Sequence, residues 1–142
     1  MLGWSVRGAF LFVVMCLQPP LAAQAEVLKF TATLSPAATV PPAASNASGA
    51  SEFTYNTDTR QLEFAVLYQD LSGPPTEGHI RGPAAPGANG PAIVGFPALQ
   101  SPISGTATLS NEQAAALQAG QLYVDINTAT HPDGEIRGQI SR

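Results

Sequence analysis

Cysteine is almost missing from this chain: Cys16 is the single one among 142 residues. No disulfide can form within one copy, so stability has to come from burial. Charge is also scarce, with six Lys and Arg against ten Asp and Glu for a net of −4. That acidic balance argues against nucleic acid or an anionic membrane surface as a partner, and its simplest meaning is solubility. Histidine occurs twice, at His79 and His131. No Gly-x-Ser-x-Gly elbow occurs, and the paired carboxylates fall only in expected turns. Nothing marks an acid and base pair, so no catalytic residue, no enzyme and no cofactor is expected.

A long apolar run is missing too. Ala9 to Leu17 is apolar but far short of the roughly 20 residues that span a bilayer, so no membrane span is expected. With Arg7 before it and Ala23-Gln24-Ala25 after it, the run reads as a secretory signal peptide over residues 1–25. Met15 stands where a lipidated Cys16 would need a small neighbour, which disfavours a lipoprotein. The expected product is an exported domain, 26–142, periplasmic or extracellular. It loses Arg7 and Cys16, leaving five basic residues against ten acidic, a net of −5, and no cysteine. A chain of this size buries about 65% of its unfolded surface, enough for one core.

What is abundant is Gly, Pro, Thr and Ala, the composition of short strands joined by turns. "VLKFTATL" alternates, with Leu28, Phe30, Ala32 and Leu34 on one face. Residues 35–50 read as an irregular crossing with a short extended piece at Val40. "SEFTYN" and "QLEFAVLYQDL" predict a hairpin that sets Phe53 and Tyr55 against Leu62, Phe64, Val66 and Tyr68. Short strands follow at His79-Ile80, "PAIVGF" and "ISGTATL". Ser110-x-x-Gln113 has capping-box form and opens one short helix that Gly120 ends. "QLYVDINT" and "EIRGQI" form a last hairpin over "HPDG". The expected fold is all-β, an antiparallel sandwich or barrel of about seven to eight strands with one short helix. Its expected core includes Phe30, Phe53, Phe64, Val66, Ile93, Leu109, Val124 and Ile136.

Two stretches repeat: Gly78-His79-Ile80-Arg81-Gly82 and Gly134-Glu135-Ile136-Arg137-Gly138. "GHIRGPAAPGANGPAIVGF", "SGTATL" and "LYVDINTATHPDGEIRGQI" resemble the CHRD domain, as does the opening "FTATLSPAATVPPAASNASGAS". The resemblance covers essentially all of 26–142. It implies an extracytoplasmic β-rich domain without established enzymatic activity, acting as a binding or structural module. The partner implied is an unidentified protein or envelope ligand.

Relatives often carry His-Ile-His-Gly-Pro where this chain has His79-Ile80-Arg81-Gly82-Pro83, and Val-His-Thr where it has Ile126-Asn127-Thr128. A histidine-richer strand would suit copper or zinc. Here His79 and His131 remain as candidate metal ligands, with Glu77, Asp133 and Glu135 as helpers, and Arg81 would repel a cation. The alternative function is thus a copper- or zinc-binding exported protein. The plainer expectation is a structural or ligand rim of Glu77, Arg81, Asp133, Glu135 and Arg137. In it the two arginines pair with Glu77, Asp125, Asp133 or Glu135 and pin two neighbouring loops together.

Overall fold

The computed structural model describes Gly3, residues 16–18 and residues 25–142. The expected leader, residues 1–25, lies almost wholly outside that range. Period-two alternation builds the first strand, β1 (Val27–Leu34), whose even-numbered residues are all buried and odd-numbered ones all exposed. A 3₁₀ turn at Pro36–Ala38 follows, and no strand forms at Val40. Thr39 supplies the reason: its hydroxyl serves the carbonyls of Pro36 and Pro41 and accepts from Ala43 N, folding the segment on itself.

β2 (Ser48–Asn56) and β3 (Gln61–Gln69) make the expected hairpin, and β6 (Ile103–Thr108) joins it. Sheet order is β1-β2-β3-β6. Register places Phe30, Phe53, Phe64 and Gly105 in one row across the four strands. Aromatic cross-strand neighbours of this kind are the unit that stabilises a sheet. The row needs its glycine, because a Cβ on Gly105 would stand 2.7 Å from Phe64 Cζ. Phe64 in turn packs on Phe96, ring centres 5.1 Å apart.

The second sheet runs β5 (Ala92–Gly95), β4 (Pro75–Arg81), β7 (Tyr123–Thr128) and β8 (Ile136–Gln139). All pairings in both sheets are antiparallel. Between β6 and β7 lies the one helix, α1 (Asn111–Gln118), with both reciprocal bonds of the capping box formed between Ser110 and Gln113. Ala114, Ala116 and Leu117 are its buried residues. Isolated bridges Thr31–Ser141 and Ser35–Arg137 join β1 to the β8 edge and close one side of the sandwich. Gly138 permits that approach, since a Cβ there would lie 2.5 Å from Thr33 O.

Of the expected core, Phe30, Phe53, Phe64, Val66, Leu109, Val124 and Ile136 are buried, whereas Ile93 is only half-buried. The reason is position: Ile93 sits on β5, a four-residue edge strand with a neighbour on one side only. Tyr68 is likewise half-buried, its hydroxyl donating to Leu99 O at 2.6 Å.

Candidate functional site

The two repeated stretches flank the central strand β7. In register, His79 faces Asp125 and Asp125 faces Arg137, while Arg81 faces Tyr123. Alternation sends Ile80, Val124, Ile126 and Ile136 into the core. It leaves Glu77, His79, Arg81, Tyr123, Asp125, Asn127 and Arg137 on the outer face. All six residues of β7 are nonetheless buried, because residues 35–43 and 82–91 lie over that outer face. The repeats are therefore not adjacent strand ends; they share one face with β7 between them.

The expected carboxylate partner of Arg137 is not what holds it. Its Nη1 donates to Ala88 O at 2.8 Å and to Asn89 Oδ1 at 3.4 Å. Its Nη2 donates to Ala85 O and Gln139 Oε1, each at 3.2 Å. The guanidinium carbon stands 3.6 Å over the Tyr123 ring centre, a cation–π contact. At 3% exposure, burial draws the pKa of this group below its usual value, with Tyr123 and Asp125 opposing the shift. An arginine still stays charged. The reason carbonyls replace a carboxylate is the loop itself: 82–91 turns its own acceptors down onto the sheet. Gln139 Nε2 joins in, donating to Ala84 O and Gly120 O. Gly82 enters the loop at φ +146°, a conformation that disfavours any side chain.

Arg81 does find an acid. Its Nε donates to Asp125 Oδ2 at 2.8 Å, and His79 Nδ1 lies 3.3 Å from Asp125 Oδ1. Burial pushes the Asp125 carboxyl above its ordinary pKa, and the charges of Arg81 and His79 only partly offset it. His79 Nε2 approaches exposed Glu77 at 3.8 Å, and Arg81 Nη2 lies 3.4 Å from His79 Nδ1. The imidazole therefore sits between two acids and a guanidinium.

Glu135 pairs with no arginine. It is fully buried and accepts from Ser45 Oγ at 2.6 Å, Thr128 Oγ1 at 2.7 Å, Ser72 N at 2.8 Å and Ser72 Oγ at 3.0 Å. Burial alone would raise its pKa, but those donors outweigh it and hold the carboxyl below the usual range. His131 Nδ1 lies 3.8 Å from Glu135 Oε2 and has no hydrogen-bond partner. The hub ties the 35–50 crossing, the β3–β4 loop and β7 together. Asp133 forms no ion pair among the described residues and instead lines a cleft.

That cleft, about 390 Å³, opens on the outer face. Its walls include Glu77, Arg81, Asn89, Asp125, Asn127 and Asp133. Val40 and Pro41 form a ridge along it, fixed by Asn89 Nδ2 donating to Val40 O at 3.1 Å. On the other side of Val40 lies a more apolar groove of about 420 Å³, lined by alanines, prolines and Arg137. Sequence reasoning named Glu77, Arg81, Asp125 and Asp133 but missed Tyr123, Asn127, Asn89 and Val40 as parts of this surface. The alternation Tyr123-x-Asp125-x-Asn127 was the available signal for two of them. No three His, Cys, Asp or Glu side chains among the described residues converge as a metal set.

No curated protein matches this chain, and neither does any solved structure. A family model described as CHRD domain matches residues 30–140, from the second inward residue of β1 to the residue after β8. Both repeated stretches, the covering loops and the cleft fall inside that span, and the chain belongs to the CHRD domain family.

Proposed function

We propose that this CHRD domain is an exported binding module without catalytic activity, and that the outer face of its second sheet is the ligand surface. One observation carries the reading. A polar cleft is held open by loops that Arg137, Tyr123 and Asn89 fix to the sheet and to each other. Side chains held by packing and supporting hydrogen bonds make a preformed site, which binds without a large ordering cost. Export rests on the leader pattern of residues 1–25. Mass spectrometry of secreted or periplasmic material is expected to show Glu26 as the first residue.

The copper or zinc reading through His79 and His131 has less support. His79 lies beside the Arg81 guanidinium, and His131 points at a carboxylate already satisfied by four donors.

The binding reading is tested by capture from the native envelope or medium with the protein as bait. Asn89→Trp, which fills the cleft mouth, should lose a partner that the wild type and a Glu52→Trp control both retain. Glu52 is exposed on the first sheet, away from the cleft. Equal retention by all three proteins would overturn the assignment of this face.

A further inference from the structure

The clamp residue Arg137 does not use all of its chemistry. A guanidinium carries five N–H donors, two on each Nη and one on Nε. The bonds from Nη1 and Nη2 go to Ala88 O, Asn89 Oδ1, Ala85 O and Gln139 Oε1, all neutral acceptors. Nε has no acceptor in the protein, yet it is not one of the sealed polar atoms left without a partner. Its N–H is therefore reachable from outside. The charge is unanswered as well, because no carboxylate among the described residues forms an ion pair with Arg137. Asp125 is taken by Arg81 at 2.8 Å, and Glu135 by Ser45, Ser72 and Thr128. Buried charges are ordinarily paired.

The space beside this cation is an independent observation. Arg137 is 3% exposed but lines the groove of about 420 Å³ across Val40 from the polar cleft. Ala37, Ala38 and Pro42 wall it from one loop and Pro86 and Gly87 from the other, and Arg137 is the one charged group in the lining. The two other polar side chains there are spent. Thr39 bonds Pro36 O, Pro41 O and Ala43 N, and Gln139 bonds Ala84 O, Gly120 O and Arg137. The groove thus offers one cationic N–H within apolar walls, in a volume typical of small-molecule sites. Asn89 Nδ2, donating to Val40 O at 3.1 Å, bridges the two loops and fences the groove from the cleft.

We infer that this groove takes a small organic carboxylate, with its anionic head on Arg137 Nε–H and its apolar body against the alanines and prolines. The step rests on the reading of this face as the ligand surface. A charge-assisted N–H bond to a carboxylate is short and strong, and it would supply the counter-charge the guanidinium lacks. Phosphate or sulfate suits the groove less well, because such ions call for several donors and no apolar wall. The Asn89–Val40 fence favours a compact ligand over an extended chain running through.

The test is a titration of the ¹⁵N-labelled protein with sodium phenylacetate, followed at the backbone amides and at the Arg137 Nε–H resonance. Phenylacetamide, acetate and the peptide acetyl-Ala-Ala-Phe with a free carboxylate serve as comparisons. Phenylacetate should give saturable shifts centred on Ala38, Val40 and Gly87, with a Kd on the order of millimolar, and should move the Arg137 Nε–H signal downfield. The neutral amide should not bind, and acetate should bind at least about tenfold more weakly. Ala37→Trp, at an exposed position of the wall, should abolish binding, whereas Glu52→Trp on the first sheet should leave it unchanged. Any of five results would overturn the inference: no saturable shift, an Nε–H signal that stays still, equal binding of the amide or of acetate, undiminished binding by Ala37→Trp, or tighter binding of the peptide. If phenylacetate fails while Asn89-dependent capture persists, the face remains a binding surface and only the carboxylate ligand is lost.

Discussion

Arg137 lies across from Asp125 in register yet stacks its guanidinium on Tyr123, 3.6 Å from the ring centre, and spends its donors on the loop above. Arg81, on the other flank of the same strand, takes the Asp125 carboxylate instead. Two arginines from matching motifs thus do different work: one clamps a loop, the other neutralises the acid of the sheet.

Arg137→Ala should therefore destabilise by about 2–4 kcal/mol, since it frees the 82–91 loop from the sheet and uncovers the Tyr123 ring. Arg142→Ala removes an exposed charge at the terminus and should cost less than about 0.5 kcal/mol. Urea denaturation of the two variants compares them directly. Equal midpoints would contradict the clamp.

Glu135 makes acid stability predictable in sign. Its folded-state pKa lies below the ordinary 4.5, so its contribution is complete above that value and is lost as pH falls through the folded pKa. Asp125 acts oppositely, because its raised pKa gives stability that is complete below the ordinary 3.8 and lost as pH rises through the folded pKa. Glu135→Gln should be less stable than wild type at neutral pH and should flatten the acid limb of a melting-temperature profile. An unchanged acid limb would refute the hub.

The row Phe30-Phe53-Phe64-Gly105 makes a packing prediction. Phe64→Ala should cost about 3–5 kcal/mol as a buried aromatic truncation. Gly105→Ala should cost about 1–3 kcal/mol, because the new methyl meets the Phe64 ring. In the Phe64→Leu background that second cost should shrink. Strict additivity in the double-mutant cycle would mean the two residues are not in contact.

Copper or zinc should leave the melting temperature unchanged, given Arg81 beside His79. A metal-induced rise abolished by His79→Ala and His131→Ala would restore the metal reading.

Much of the fold was legible because local signals agree. Alternation fixed the inward set of β1, β2 and β3, and Ser110 with Gln113 marked the start of α1. Turn chemistry at Pro132-Asp133-Gly134 closed the last hairpin. The site was less legible for a physical reason. Arg137 is held by carbonyls of Ala85 and Ala88, 52 and 49 residues earlier, and a carbonyl leaves no trace in residue type. Glu135 is held by hydroxyls of Ser45 and Ser72 from distant segments and of Thr128 across its own hairpin, where the sequence shows only ordinary serines and a threonine. Ile93 was misplaced because alternation does not tell an edge strand from a central one.

The central claim is that the outer face of the second sheet, under the clamped loops, is where a partner binds. A photo-cross-linking residue placed at Asp133, exposed in the cleft wall, tests it most directly against the same residue placed at Glu52 on the first sheet. In native envelope or medium, the account predicts a discrete cross-linked species from Asp133 and none from Glu52. Cross-linking from Glu52 alone, or equally from both positions, would contradict it.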